Sequence, residues 1–175
     1  MNINIKRSAR QVAETAVMLA LLIALQSLTK PLGQFVTGSC VNAILALTVL
    51  LAGQNSGFAV ALISPWMAFL LGIAPQPVVV PAIMVGNLIY VELVYQLSGH
   101  GNGTLLRRSI AWLVAAVCKF GIMYLMIDQF LASLLPQPQA PKILAMFSWP
   151  QLVTALLGGG VALAVTPIAK KALKR

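Results

Sequence analysis

The apolar positions of this chain fall into long runs, and its polar positions fall between them. Runs approaching 20 residues match the hydrocarbon thickness of a bilayer when wound into helix. The pattern predicts an all-α integral membrane protein, a compact bundle of six transmembrane helices forming one domain over residues 1–175. The first span runs from Val12 to Leu28 and stops at Thr29-Lys30-Pro31. KPLGQFVTGS (30–39) reads as a loop rich in breakers. The second span, Cys40 to Ala52, is short for a crossing. After the turn GQNSG (53–57) comes the third, Phe58 to Ile73, with Pro65 inside it. APQP (74–77) precedes the fourth, Val78 to Leu97. The polar loop SGHGNGT (98–104) separates it from the fifth, Leu106 to Ile127. A longer connection, QFLASLLPQPQAPK (129–142), leads to the sixth, Pro150 to Ala169.

The first run contains AETAVMLALLIALQ (13–26), in which Ala16, Ala20 and Ala24 recur every fourth residue. That spacing puts them on one helical face. Small residues there let another helix approach closely. Spacing alone leaves open whether the approaching helix belongs to this chain or to another.

Composition supports the membrane reading. Hydrophobic residues make up 59% of the chain and charged ones 9%, and the mean hydropathy is +0.91. A soluble domain of this size needs more polar surface. The net charge of +9 raises the question of nucleic acid, but its placement argues for lipid. Lys6, Arg7 and Arg10 precede the first run, Arg107 and Arg108 lie between runs, and Lys170, Lys171, Lys174 and Arg175 follow the last. With six spans these bases share one side, and Lys30 and Lys142 lie on the other. The positive-inside bias then puts both termini in the cytoplasm. The basic-then-apolar N-terminus resembles a signal peptide. A retained first span is expected instead, because Glu14 interrupts the run and no clear A-x-A site follows.

Ionisable groups inside a bilayer are costly and mark functional candidates. Glu92 falls in the fourth run and Lys119 in the fifth. Either they tie adjacent helices together, or Lys119 faces a polar cavity and meets an anionic or carbonyl group of a ligand. Glu92 snorkelling to the interface is a third outcome. Asn87, Asn42 and Ser64 each either bond a neighbouring helix or touch a ligand. At the outer ends, Gln34, Thr37 and Ser39, Tyr124 and Asp128, and Trp149 and Gln151 offer aromatic faces and polar edges. Taken singly, the aromatics fit an interfacial belt equally well.

Catalysis is not expected. His100 sits alone in a Gly-rich loop, and Glu14, Glu92 and Asp128 are far apart in the chain. No G-x-x-x-x-G-K-[ST] phosphate loop occurs. Cys40 and Cys118 lack metal spacing and read as small apolar fillers. No metal or bound cofactor is expected.

The alanine pattern, together with VTGSCVNAILALTVLLAG (36–53), ISPWMAFLLGIAP (63–75) and VPAIMVGNLIYV (80–91), resembles the substrate-binding S components of energy-coupling factor (ECF) transporters. The resemblance covers nearly the whole chain. It implies a subunit of a prokaryotic cell membrane that binds a vitamin or related micronutrient on the outer side. It also implies docking on a T-component membrane protein coupled to two cytoplasmic ATPases, so that ATP is used by partners and not bound here. Carried over, the docking face is Ala16, Ala20 and Ala24. The ligand region matches Asn87, Lys119, Tyr124, Trp149 and Gln151, with Gln34 and Thr37 in its cap. Two other classes remain open from the residues alone: a self-sufficient small transporter or channel, and a ligand-free membrane assembly subunit.

Overall fold

Glycine and proline set the boundaries of an otherwise helical chain. A computed structural model describes residues 3–74, 76–100 and 102–173, with only the backbone described for 3–7. Of the bases expected at the cytoplasmic face, Lys174, Arg175 and the side chains of Lys6 and Arg7 lie outside the described residues, as do Pro75 and Gly101 of the expected loops. The helices are α1 (Ile3–Thr29), α2 (Gln34–Ala52), α3 (Gln54–Leu70), α4 (Val80–Leu97), α5 (Leu105–Tyr124), α6 (Ala140–Phe147) and α7 (Trp149–Ala172). Pro81, Pro141 and Pro150 open α4, α6 and α7 from the first turn, where a missing N–H costs nothing. Gly33 and Gly53, both at φ 88 with extended ψ, make the corners before α2 and α3. Only glycine visits that region readily.

Among the described residues, five stretches are long and apolar enough to cross a membrane: Ser8–Leu32, Gln34–Ala52, Pro77–Leu97, Leu105–Leu134 and Ala140–Ala172. The remaining long helix, α3, has 17 residues. At 1.5 Å per residue it reaches about 26 Å, short of the roughly 30 Å hydrocarbon core. Its expected final turn is not helical, since the N–H groups of Ile73 and Ala74 both bond the Ala68 carbonyl and close the chain back on itself.

The first helix starts at Ile3, nine residues before the expected Val12, and the second span also departs from expectation. It begins at Gln34, so Gln34, Thr37 and Ser39 stand on a helix instead of in a loop. Gly38, read as a breaker, is a contact residue: a Cβ there would lie 2.8 Å from Thr154 Cγ2 of α7. The expected connection after α5 is also structured. A π turn (Leu125–Leu131), a 3-10 turn (Ala132–Leu134) and α6 carry the chain to α7.

Helix α2 is the axis of the bundle. Asn42 through Leu50 are all buried, because α1, α3, α4 and α7 surround it. A helix apolar all round belongs in such a position. A second apolar cluster, including Val79, Met123, Ile127, Ile143 and Phe147, gathers α4, α5, the π turn and α6 at the end away from the chain termini. Outside, the bundle is apolar: Leu28, Leu70, Leu106, Phe130 and Ile168 are each at least 70% exposed. Inside it buries Gln26, Asn42, Ser64, Asn87 and Lys119. Apolar outside and polar within is the distribution that lipid favours.

Candidate functional site

Lys119 organises the interior. Lys119 and Met123 are four residues apart and share one face of α5. Both face α4 at Gly86, where a Cβ would lie 2.5 Å from Met123 Cγ and 3.6 Å from Lys119 Cγ. The absence of a side chain at Gly86 brings the helices close enough for Lys119 Nζ to donate to Asn87 Oδ1 at 2.7 Å. The same ammonium donates to Asn42 Oδ1 of α2 at 2.6 Å and lies 5.3 Å from the centroid of the Tyr90 ring. Asn42 Nδ2 in turn donates to the Gly38 carbonyl (2.9 Å) and to Thr154 Oγ1 of α7 (3.3 Å). A polar chain thus joins α5, α4, α2 and α7 through one cation.

The expected tie between Glu92 and Lys119 does not form. Glu92 accepts from Gln54 Nε2 at 2.6 Å and from Gln96 Nε2 at 3.0 Å, toward the other end of α4. Asn87 lies five residues nearer the start of α4 and takes the lysine instead.

Beside this network is a cavity of about 100 Å³. Each of the long helices contributes a polar group to it: Gln26, Thr37, Ser64, Asn87, Lys119 and Gln151, with Asn42 beside Thr37. Val41, Pro65, Ile83 and Phe147 supply apolar wall, and half-buried Gln34, Ala74 and Met146 stand among the lining residues. Three buried polar atoms of the lining residues have no partner among the described residues: Gln26 Nε2, Ser64 Oγ and Asn87 Nδ2. Leaving such a group unpaired costs about 1–3 kcal/mol.

No family model, curated protein or solved structure matches this chain.

Of the residues expected at a ligand site, the cavity brings together Gln34, Thr37, Asn87, Lys119 and Gln151. Thr37 spends its hydroxyl proton on the Thr29 carbonyl (2.9 Å), and Gln151 Nε2 reaches the Met146 carbonyl (3.3 Å). Tyr124 and Trp149 are not among the lining residues. Tyr124 is 39% exposed and lies against Phe120, while Trp149 is 61% exposed and lies against Phe35. Both belong to the outer surface, where a belt residue is placed. Gln26 was not anticipated, and Asn42 and Ser64 were open between helix packing and ligand contact. Asn42 serves packing and the cavity together, whereas Ser64 faces the cavity without a partner.

Ala16, Ala20 and Ala24 are exposed, and the inward face of α1 is formed instead by Leu22 and Gln26. The stripe therefore does not pack within this chain's own described bundle. Cys40 is half-buried and Cys118 exposed, so neither is a core filler. His100 lies against Tyr95, with ring centroids 4.9 Å apart. Among the described residues no three His, Cys, Asp or Glu side chains are grouped as metal ligands. A second hollow of about 430 Å³ lies at the opposite end, between Glu14, the end of α2, Tyr95, His100, Asn102 and Lys170. Its lysine donates to Asn102 Oδ1 at 3.2 Å. The smaller cavity is the stronger site, because among the described residues its lining combines unpartnered buried polar groups with a buried cation.

Proposed function

We propose that this chain is the substrate-binding S component of an ECF-type importer in a prokaryotic cell membrane. It holds a vitamin-class micronutrient in the cavity beside Lys119. A T-component membrane protein docks on the alanine face of α1, and two ATPase subunits supply the energy. The observation that carries this reading is the cavity: a buried cation and three unpartnered polar atoms, from α1, α3 and α4, belong to its lining residues. Such groups fit a bound solute better than a purely structural core.

In this arrangement α3 is the sixth crossing, short but held among α1, α2 and α4. The described bases support an orientation with both termini inside. Arg10, Arg107, Arg108, Lys170 and Lys171 lie toward the end of the bundle that carries the α4–α5 loop, whereas Lys30 and Lys142 lie toward the cavity end. The cavity then opens outward, where a scarce nutrient is captured. The exposed face of Ala16, Ala20 and Ala24 supports docking by another chain, since no helix of this one covers it among the described residues.

The experiment is Ala20→Trp in the full chain. The indole projects from the exposed face, so the bundle folds and solute binding in detergent is retained. Co-purification with T-component and ATPase subunits is lost, and uptake with it. Unchanged uptake by the variant refutes the docking role, and solute transport by the isolated wild-type protein in liposomes refutes the importer reading altogether.

A further inference from the structure

The cavity has a chemical polarity that names its ligand more closely. Resting on the reading of the cavity as a solute site, we infer that the ligand is a compact organic monoanion presenting hydrogen-bond acceptors, a carboxylate foremost, and neither a cation nor a metal ion.

Charge comes first. Lys119 is the one ionisable side chain among the described lining residues. The chain has 3 acidic residues in all. Glu14 pairs with Arg10 at 2.8 Å, Glu92 accepts from Gln54 and Gln96, and Asp128 accepts from Gln129 at 2.8 Å. None reaches Lys119. Lys119 is 2% exposed as a residue, and its ammonium is held by two neutral amide oxygens and an aromatic face. A buried cation without a counter-ion is costly, and an anion in the adjacent space supplies the missing charge.

The second argument is the direction of the amides. An ammonium only donates, so Asn42 and Asn87 must both turn their oxygens toward it. Their NH2 groups must then turn away, and flipping either would set N–H against N–H. Asn42's amide nitrogen finds acceptors on Gly38 and Thr154. Asn87's finds none, so the lysine itself commits a free N–H donor to the cavity wall. The unpartnered hydroxyl of Ser64 and the unpartnered amide nitrogen of Gln26 add two more groups that donate. A carboxylate has two oxygens and about four acceptor sites, and no proton of its own to bring into conflict with these donors. A cation or an ammonium-bearing solute would meet donors and like charge in the same cavity.

Size is the third. About 100 Å³ is below the roughly 150 Å³ of an engineered cavity that admits benzene. The enclosed part therefore takes an acid group and a small framework against Val41, Pro65, Ile83 and Phe147. Any longer portion extends past the half-buried Gln34 and Ala74.

The test uses the full-length protein in lipid nanodiscs, titrated calorimetrically with vitamins sorted by charge. Nicotinate, pantothenate and biotin are the monoanions, nicotinamide and pyridoxine the neutral probes, and thiamine the cation. At least one monoanion binds; the neutral and cationic probes do not. Lys119→Gln weakens that binding roughly ten- to a hundredfold, the worth of a charge-assisted hydrogen bond. Asn87→Asp places a carboxylate against Lys119, satisfies the cation internally and abolishes anion binding while the fold is kept. It decides the matter where Lys119→Gln fails to fold. Binding of nicotinamide, pyridoxine or thiamine that survives Asn87→Asp overturns the ligand class and leaves the solute-site reading standing. Binding of none of the six probes overturns both.

Discussion

Replacing Gly158 tests the packing on which the cavity depends. Gly158 lies where α7 crosses α2, and a Cβ there would stand 2.7 Å from both Ala43 N and Asn42 Cβ, with the Ser39 carbonyl closer still. Two of these are backbone atoms and cannot rotate aside. Ordinary contact begins near 3.4 Å, so the helices must part by at least about 0.7 Å at the crossing, and by more at the Ser39 carbonyl. Overpacking of this kind costs about 1–3 kcal/mol. The Asn42–Thr154 bond, already 3.3 Å, is pulled beyond bonding range nearby, for about 1 kcal/mol more. Alanine returns up to about 1 kcal/mol through helix propensity. Gly158→Ala is therefore expected to lose about 1–3 kcal/mol net. Gly160 is the internal control. A Cβ there meets only the Trp112 ring at 3.7 Å, an ordinary contact, so Gly160→Ala keeps or gains stability. Unfolding in graded mixed micelles, followed by circular dichroism, reads the difference. Equal stability of the two variants would refute backbone contact between α2 and α7.

Two further outcomes separate the cavity from its surroundings. Glu92→Ala removes the acceptor of Gln54 and Gln96 but touches nothing that Lys119 holds. Solute affinity measured calorimetrically is expected to stay within about twofold, well under one 1.4 kcal/mol decade, and a tenfold loss would restore the Glu92–Lys119 tie. Trp149→Ala and Tyr124→Ala truncate side chains on the outer surface. They are expected to leave affinity in detergent equally unchanged, and a large loss would move the site outward to the aromatics.

Hydrophobic run length was a good guide to where helices lie and a poor guide to where they begin. α4 and α7 start within two residues of their expected first positions. α2 starts six residues early, because Gly38 and Ser39 carry the signature of a loop in water. In a membrane bundle the same small residues mark close helix approach, and Gly38 lies against Thr154. Only Gly33, with positive φ, turns the chain there. Beyond Ile127, where the expected fifth span ends, the structure of segment 128–147 was not legible at all. Its prolines and polar residues interrupt any single period, and its short helix is held in the apolar cluster it shares with α4, α5 and the π turn, and by packing on α7, which local pattern cannot show.

The candidate site was legible where depth decided the matter and illegible where angle did. Asn87 and Lys119 were singled out because polar groups far from both ends of an apolar run must find partners inside. Choosing between Asn87 and Glu92 as the partner required knowing which turn of α4 faces α5, and Gly86 settles that by letting Met123 and Lys119 approach. The outer ends show the same limit. Trp149 and Gln151 are two residues apart, about 200° around a helix, so one faces out and the other in. Tyr124 follows Met123 by one residue, and it is Met123, four beyond Lys119, that shares the inward face. Gln26 is separated from Ala24 by the same 200°, again about half a turn. Measured from Ala20 at the middle of the stripe, Gln26 lies about 120° round the helix, on the flank that turns into the bundle, and it is buried there. That geometry could have nominated Gln26 from AETAVMLALLIALQ alone, once its alanines were taken to face away from the bundle. A polar residue on that flank has only the protein interior to answer to, and there it needs either a helix partner or a ligand.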